Sequence, residues 1–383
     1  MKIAFIGQKG IPATFGGVEY HVDRLSRSLA AQGHEVFVYV RPWYSGKKQK
    51  DYQGVKLTAI PTLKTKHLDA SVHSFLCSCH AVFQKMDIIH YHAIGPTAFS
   101  LLSRLAGKKV VSTIHRLDWA TEKWGRFAKA LLKLAEFLSV KIPHRTIVVS
   151  EELQQYIRKK YGKDTLWIPN GAELPETKPL RLVKDKYLLS PKGYLLFLGR
   201  LVPEKRVDWL IKAFQNLLRT SSKAANLKLV IAGGSSGTDE YVRKLRSMSR
   251  DYPNIIFTGF VWGEEKKELL SHALAFVLPS YLEGLPIALL EAKSYGLCCL
   301  ASDIPAHREA IRHGQDGLLF RHSSLSDLGD KLGSLIDNPQ RAEEMGKKAR
   351  EEVGNRPTWQ DVTLKVLEVY GQVLKDQDSI EGS

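Results

Sequence analysis

Residues 279–296 read P-S-Y-L-E-G-L-P-I-A-L-L-E-A-K-S-Y-G. The six residues before them, 273–278, form a short apolar run stopped by Pro279, which suits a buried parallel strand. Pro286 fits the first position of a helix, where a fixed φ and a missing N–H cost little, and Ala288, Leu289, Leu290 and Ala292 continue it. A strand therefore ends, a loop carries Glu283 and Gly284, and a helix begins. The amides around Leu285 and Ile287, at the helix N-terminus, are then expected to face the crevice at the strand's carboxyl end, where open α/β sheets bind ligands. Glu283 lies at the mouth and Glu291 more than a turn inside. A helix N-terminus favours anions, yet two carboxylates flank this one, so the expected ligand has both phosphates and hydroxyls. Nucleotide sugars have both.

The pattern P-S-x-x-E-G-x-P-x-x-x-x-E-A resembles the signature of retaining, nucleotide-sugar-dependent glycosyltransferases of the GT-B fold, specifically glycosyltransferase family four. The resemblance covers nearly the whole chain. It implies α/β architecture with two doubly wound, Rossmann-like domains facing across a cleft. These would be an acceptor-binding domain over 1–172, a nucleotide-sugar-binding domain over 173–356, and a C-terminal helix over 357–383 crossing back to the first.

Other stretches agree with that layout. Residues 2–6 form a strand, followed by the loop G-Q-K-G-I-P-A-T-F-G-G and a helix from about 18 to 31. The glycines at 7, 10, 16 and 17 do not spell G-x-G-x-x-G, and no acidic residue ends the next strand, over 36–40, which disfavours a dinucleotide dehydrogenase. Gly16 and Gly17 permit close backbone approach to a ligand. In the resembling family this pair lies near the donor diphosphate or the acceptor, with Glu19 beside it. Further strands are expected over 55–60, 87–91, 109–114 and 146–149, alternating with helices as in a parallel sheet.

His115 stands at the carboxyl end of the 109–114 strand in T-I-H-R-L-D-W. By resemblance it contacts the transferred sugar, with Asp118 three residues on rather than next. In the second half, Y-L-L-F-L-G-R ends a strand and L-V-P-E-K-R opens a helix, so Gly199, Arg200 and Lys205 match the family's diphosphate clamp G-R-x-x-x-E-K. Gly233 and the backbone near Val261 fall where the family holds the base. Glu291 would accept from ribose hydroxyls, the amides near Leu285 would face phosphate with Gly284 and Pro286 bordering the ligand, and Glu283 would contact the sugar.

No metal is expected: there is no D-x-D motif, and His73, Cys77, Cys79 and His80 in H-S-F-L-C-S-C-H lack structural-zinc spacing and read as buried or idle helix residues. Cys298 and Cys299 read as strand packing. No cofactor beyond the donor substrate is implied. Four cysteines, and Lys9 interrupting the apolar opening, suggest reduced thiols and a cytoplasmic setting without a secretory signal.

The net charge of +16 is concentrated: residues 1–170 hold about 26 Lys and Arg against about 12 Asp and Glu. That asymmetry suits anionic headgroups or a lipid-diphosphate-linked acceptor better than nucleic acid, for which no zinc-finger spacing or RNP-like motif appears. Within this half, residues 123–142 form a basic amphipathic segment with Trp124, Phe127, Leu131, Leu134 and Leu138 on one stripe. We expect the stripe to pack on the sheet, with a membrane-interface role as the alternative. Residues 173–186 read as a linker, and helices are expected over 324–336, 339–353 and 359–374.

The opening K-I-A-F-I-G-Q-K-G-I-P-A-T-F-G-G-V-E is similar to a polysaccharide-assembly subgroup of rhamnosyl- and mannosyltransferases, whose acceptors are usually lipid-diphosphate-linked sugars. Two alternatives stay open at this point: a sugar-nucleotide epimerase of the same architecture, and a non-catalytic basic protein binding membranes or nucleic acid.

Overall fold

The structure, a computed structural model, describes residues 1–45, 49–63, 68–121 and 124–381, with side chains up to residue 375. Two compact units emerge, Met1–Gly171 with Pro357–Ser383, and Ala172–Arg356.

The first unit holds an eight-stranded sheet in the order β3-β4-β2-β1-β5-β6-β7-β8. Its strands are β1 (Lys2–Ile6), β2 (Glu35–Val40), β3 (Asp51–Tyr52), β4 (Val55–Ala59), β5 (Ile88–His92), β6 (Val110–Ile114), β7 (Arg145–Val148) and β8 (Leu166–Trp167). All pairs are parallel except β3 with β4, a two-residue return at the edge. Strand β1 is central because its apolar residues are covered on both faces: Ile3 and Phe5 enter one core cluster, Ala4 and Ile6 another. The last helix, Trp359–Glu381, belongs to this unit and seals the first cluster with Trp359, Val362, Val366 and Tyr370.

The second unit holds a six-stranded, all-parallel sheet in the order β11-β10-β9-β12-β13-β14. These are β9 (Tyr194–Leu198), β10 (Lys228–Ala232), β11 (Ile255–Gly259), β12 (Ala275–Leu278), β13 (Cys298–Ser302) and β14 (Gly317–Phe320). Cys298 and Cys299 are buried in β13 as packing residues. In each sheet the chain winds outward one way from a central strand, then returns to wind the other way. The switch points lie between β1 and β5 and between β9 and β12. Loops leaving the carboxyl ends of those strands form the crevices that doubly wound sheets use for ligands.

Three expectations need correction. The 173–186 segment is not all linker: Leu182–Tyr187 is helical, because Val183 is buried and Glu268 accepts the backbone N–H groups of Arg181 (3.0 Å) and Val183 (3.1 Å). Pro286 is the N-cap of the helix Ile287–Ser294, not its first residue: its ψ of 108° is extended while its carbonyl already accepts from Leu289 at 3.1 Å.

The third concerns the basic amphipathic segment, whose first residue, Lys123, lies outside the described residues. The helix Arg126–Lys141 leaves the middle of the apolar stripe turned outward, while Trp124 and Leu138 at its ends are half-buried. Ala135, Glu136, Ser139 and Val140 face inward, while Phe127 is 78% exposed, Leu131 52% and Leu134 54%. Polar bonds fasten its inner side. The buried Glu136 carboxylate accepts from Tyr156 Oη (3.0 Å), Lys160 Nζ (2.8 Å), Trp119 Nε1 and Tyr161 Oη.

Candidate functional site

At the second switch point, the loop after β9 carries Gly199, Arg200 and Lys205, and the loop after β12 carries Glu283, Gly284, Leu285 and Pro286. The two loops are joined. Tyr281 N donates to Glu204 O at 3.0 Å, and Lys205 Nζ pairs with a Glu283 carboxylate oxygen, both side chains being largely buried. Burial pushes the Glu283 carboxyl up, but Lys205 beside it outweighs that and holds the group below its ordinary 4.5. His307, fully buried, lies near enough to influence Glu283, and burial lowers its own pKa to about 4. Glu291, inside the helix, pairs with Lys266 at 2.7 Å.

Gly199 and Gly233 explain each other. Gly199 N donates to Ala232 O at 2.9 Å, and a Cβ on Gly233 would meet Gly199 O at 1.7 Å, so the ends of β9 and β10 approach too closely for a side chain. Val261 follows β11 and is partly buried. The arrangement sets a cation, Lys205, against a carboxylate, Glu283, on loops that meet beside a helix N-terminus, chemistry suited to an anion and to hydroxyls.

In the first unit, Gly16 caps the helix Gly17–Ala31 at φ 103°, and a Cβ there would meet Glu19 Oε2 at 1.9 Å. Glu19 folds back over the helix start, its Oε1 accepting from Lys9 N at 3.1 Å. Asp118 pairs with Arg116 at 3.0 Å. His115 follows β6 and meets two histidines not anticipated from the sequence, His92 at the end of β5 and His21 from the helix. His92 Nδ1 lies 3.1 Å from His115 Nε2, and the His21 and His115 ring centroids are 4.8 Å apart. Burial lowers the pKa of His21 to about 4 and those of His92 and His115 well below 6.5, so all three are neutral near pH 7.

The three rings place ligand nitrogens within 4.8 Å of one another. A zinc-like cation would need their lone pairs aimed at one point ~2.0–2.1 Å from each nitrogen. Instead, His92 Nδ1 and His115 Nε2 face each other at 3.1 Å across one hydrogen bond, with the ring planes inclined by 29° and the centroids 5.4 Å apart. The signal for His21 and His92 was present in the sequence: a histidine at a parallel strand's carboxyl end, and another one turn into the helix that follows β1. On the neighbouring helix, Asp69–Val82, His73 and Cys77 are buried and touch at 3.5 Å.

Two family models match the chain, "Glycosyltransferase Family 4" over residues 15–175 and "Glycosyl transferases group 1" over residues 183–352. Among curated relatives, glycogen synthase of Mycobacterium tuberculosis is 26% identical, over 97% of this chain and 94% of its own. The GDP-mannose-dependent alpha-(1-6)-phosphatidylinositol monomannoside mannosyltransferase of the same organism is 24% identical, over 93% and 95%. Anabaena HepE, solved in complex with UDP and glucose, superposes with a TM-score of 0.80 at 18% identity, covering 97% of this chain and all of that one. WaaG, a glycosyltransferase involved in lipopolysaccharide biosynthesis, superposes at 0.76 with 19% identity, over 96% and 99%. Two doubly wound sheets, with one family model on each, make this chain a glycosyltransferase of the GT-B fold, of the family four and group 1 type.

Proposed function

We propose that the chain transfers a sugar, with retention of anomeric configuration and without a metal ion, from a nucleoside-diphosphate sugar to a hydroxyl of a glycan or lipid-diphosphate-linked acceptor in cell-surface polysaccharide synthesis. The observation that carries this reading is the Lys205–Glu283 pair at the second switch point, beside Arg200 and a helix N-terminus. Arg200, Lys205 and the amides near Leu285 neutralise the diphosphate as the glycosidic bond breaks, which is stabilisation of developing charge. Glu291 accepts from ribose hydroxyls, Glu283 and His115 contact the sugar, and Gly16, Gly17 and Glu19 border the ligand.

Retention follows from same-face attack, with the leaving phosphate oxygen taking the acceptor's proton. A double displacement would require Glu283 as nucleophile. Its pairing with Lys205 and its lowered pKa make it a weak one.

The outward apolar stripe of the helix Arg126–Lys141, with Arg126, Lys129 and Lys133 around it, favours a second element of the reading. The protein works as a peripheral protein at an anionic membrane surface, on the cytoplasmic face, where a lipid-linked acceptor would sit. Among the described residues no helix is long and apolar enough to cross a membrane.

Calorimetric titration with UDP, GDP, ADP and dTDP, repeated on Lys205→Ala, tests donor binding. Turnover of Lys205→Ala and Arg200→Ala should fall by about 10²-fold or more. Near-normal turnover in both variants refutes the assignment. Products formed from donor alone would indicate epimerisation instead.

A further inference from the structure

His92 is wedged before it is used. Its ring stacks on His90 with centroids 4.3 Å apart and on Phe5 at 5.3 Å. His90 is itself held at both nitrogens, by Tyr370 Oη and Thr113 Oγ1, each at 2.7 Å. The residue after His92 is Ala93, at φ 70° and ψ 157°, a region that residues with a side chain enter only under strain and that clusters at functional sites. The ring therefore has one orientation, and its Nδ1 faces His115 Nε2 at 3.1 Å.

One of those two nitrogens carries the proton between them. His92 Nε2 decides which, because it is buried with no hydrogen-bond partner. An N–H sealed there would lose a hydrogen bond outright, whereas a bare lone pair is tolerated better. The His92 proton therefore sits on Nδ1 and is donated to His115 Nε2. His21 repeats the pattern: its Nδ1 faces Asn170 Oδ1 at 2.8 Å while its Nε2 is buried and bare. His115, neutral, keeps its own proton on Nδ1, which is not among the sealed, unpartnered nitrogens.

We infer that His92 is a positioning residue for sugar transfer: its Nδ1–H bond to His115 Nε2 locks His115 in the Nδ1–H tautomer, so that His115 offers a sugar hydroxyl a donor rather than an acceptor. The inference rests on the proposed contact of His115 with the transferred sugar. His21 stands edge to face with His115 and closes off other ring positions.

Two variants test it. His92→Phe keeps the ring volume and removes the donor, and His92→Asn restores an N–H near the Nδ1 position. The tautomer of His115 is read directly by long-range 15N–1H correlation on histidine-labelled protein, its signals identified by their loss in His115→Gln. The wild type should carry the proton on Nδ1, and His92→Phe should lose that preference. In kinetics, His92→Phe should lower kcat/KM for the nucleotide sugar by about tenfold, the worth of one hydrogen bond, with most of it recovered in His92→Asn. Affinity for the nucleoside diphosphate, which lacks the sugar, should stay within about twofold.

A wild-type His115 protonated on Nε2 overturns the inference, and so does equal loss in the Phe and Asn variants. Loss of diphosphate affinity in step with turnover would assign His92 to general folding and also overturn it. If the tautomer is as inferred but His115→Gln transfers sugar at the wild-type rate, the failure lies in the sugar contact of His115, and the positioning role falls with it.

Discussion

Mild acid should unfold the first unit while the second stays folded. In the first unit His21, His73, His90, His92 and His115 all have pKa values lowered chiefly by burial, to about 4 for His21 and His73 and well below 6.5 for the others. Among the described residues of the second unit only His307 is comparable, at about 4. His144, also lowered to about 4, is only half buried and is discounted for solvent screening. These imidazoles stay neutral in the fold but take a second proton in the unfolded chain below pH ~6.5. The unfolded state therefore binds more protons, and stability falls as pH falls from about 6.5 toward 4.

Between pH 7 and 5.5 each such histidine removes roughly 1.2 kcal/mol, a figure set by protonation of the unfolded chain at its ordinary pKa. Five of them remove about 6 kcal/mol from the first unit, and one removes about 1 kcal/mol from the second. Whole-domain stabilities are about 5–15 kcal/mol, so the first loss is decisive and the second is not. Carboxylates with lowered pKa, such as Glu283, act only below about pH 4.5, outside this window. Hydrogen exchange read by mass spectrometry, corrected for intrinsic rates, should show β1, β5 and β6 losing protection near pH 5.5 while β9, β10 and β12 keep it. If both units open together, or the first stays protected to pH 4.5, the reasoning is wrong.

Lys293 is fully buried, with Nζ 2.6 Å from Glu352 and 3.5 Å from Asp316; because those carboxylates also hold Arg356 and Arg312, Lys293→Met should destabilise the second unit by only about 1–2 kcal/mol in denaturant melts, short of the cost of a stranded buried charge. Gly16→Ala should cost the first unit about 2 kcal/mol, because a Cβ at φ 103° displaces Glu19; an unchanged melting midpoint would contradict that geometry. Replacing Phe127, Leu131 and Leu134 together by Ser should weaken retention on anionic vesicles by about 10²-fold, at ~1 kcal/mol per half-exposed side chain, without lowering the melting temperature. A fall in melting temperature would show that the stripe packs within the fold.

Much of this was legible in the sequence because buried parallel strands are short apolar runs and their carboxyl ends carry the chemistry. The loops bearing Arg200, Lys205 and Glu283 could be placed from 194–200 and 273–286 alone. Their pairing could not, since it joins residues 78 apart through the adjacency of β9 and β12. The orientation of the helix Arg126–Lys141 was hidden for another reason. An apolar stripe has the same period whichever way it faces, and the inward side is fixed by polar partners: Trp119, Tyr156, Lys160 and Tyr161 on Glu136, and Ile94, Ser112 and Thr146 on Ser139. The helix after Glu283 starts one residue later than Pro286 suggests, because proline fixes φ but leaves ψ free.

The two switch points solve different chemical problems with the same topology. At β9 and β12 the polar groups are charged and paired, which suits a dianionic leaving group; at β1 and β5, with β6 alongside, the three clustered imidazoles are neutral, which suits hydroxyls and would repel no anion nearby. Neutrality there is maintained by burial, so it brings an acid sensitivity that the charged site shares only through His307. Sugar transfer should therefore fail between pH 7 and 5.5 while nucleoside diphosphate still binds. Calorimetry and turnover measured on the same protein across that window decide it: parallel loss of both would place the acid-sensitive group at the charged site instead.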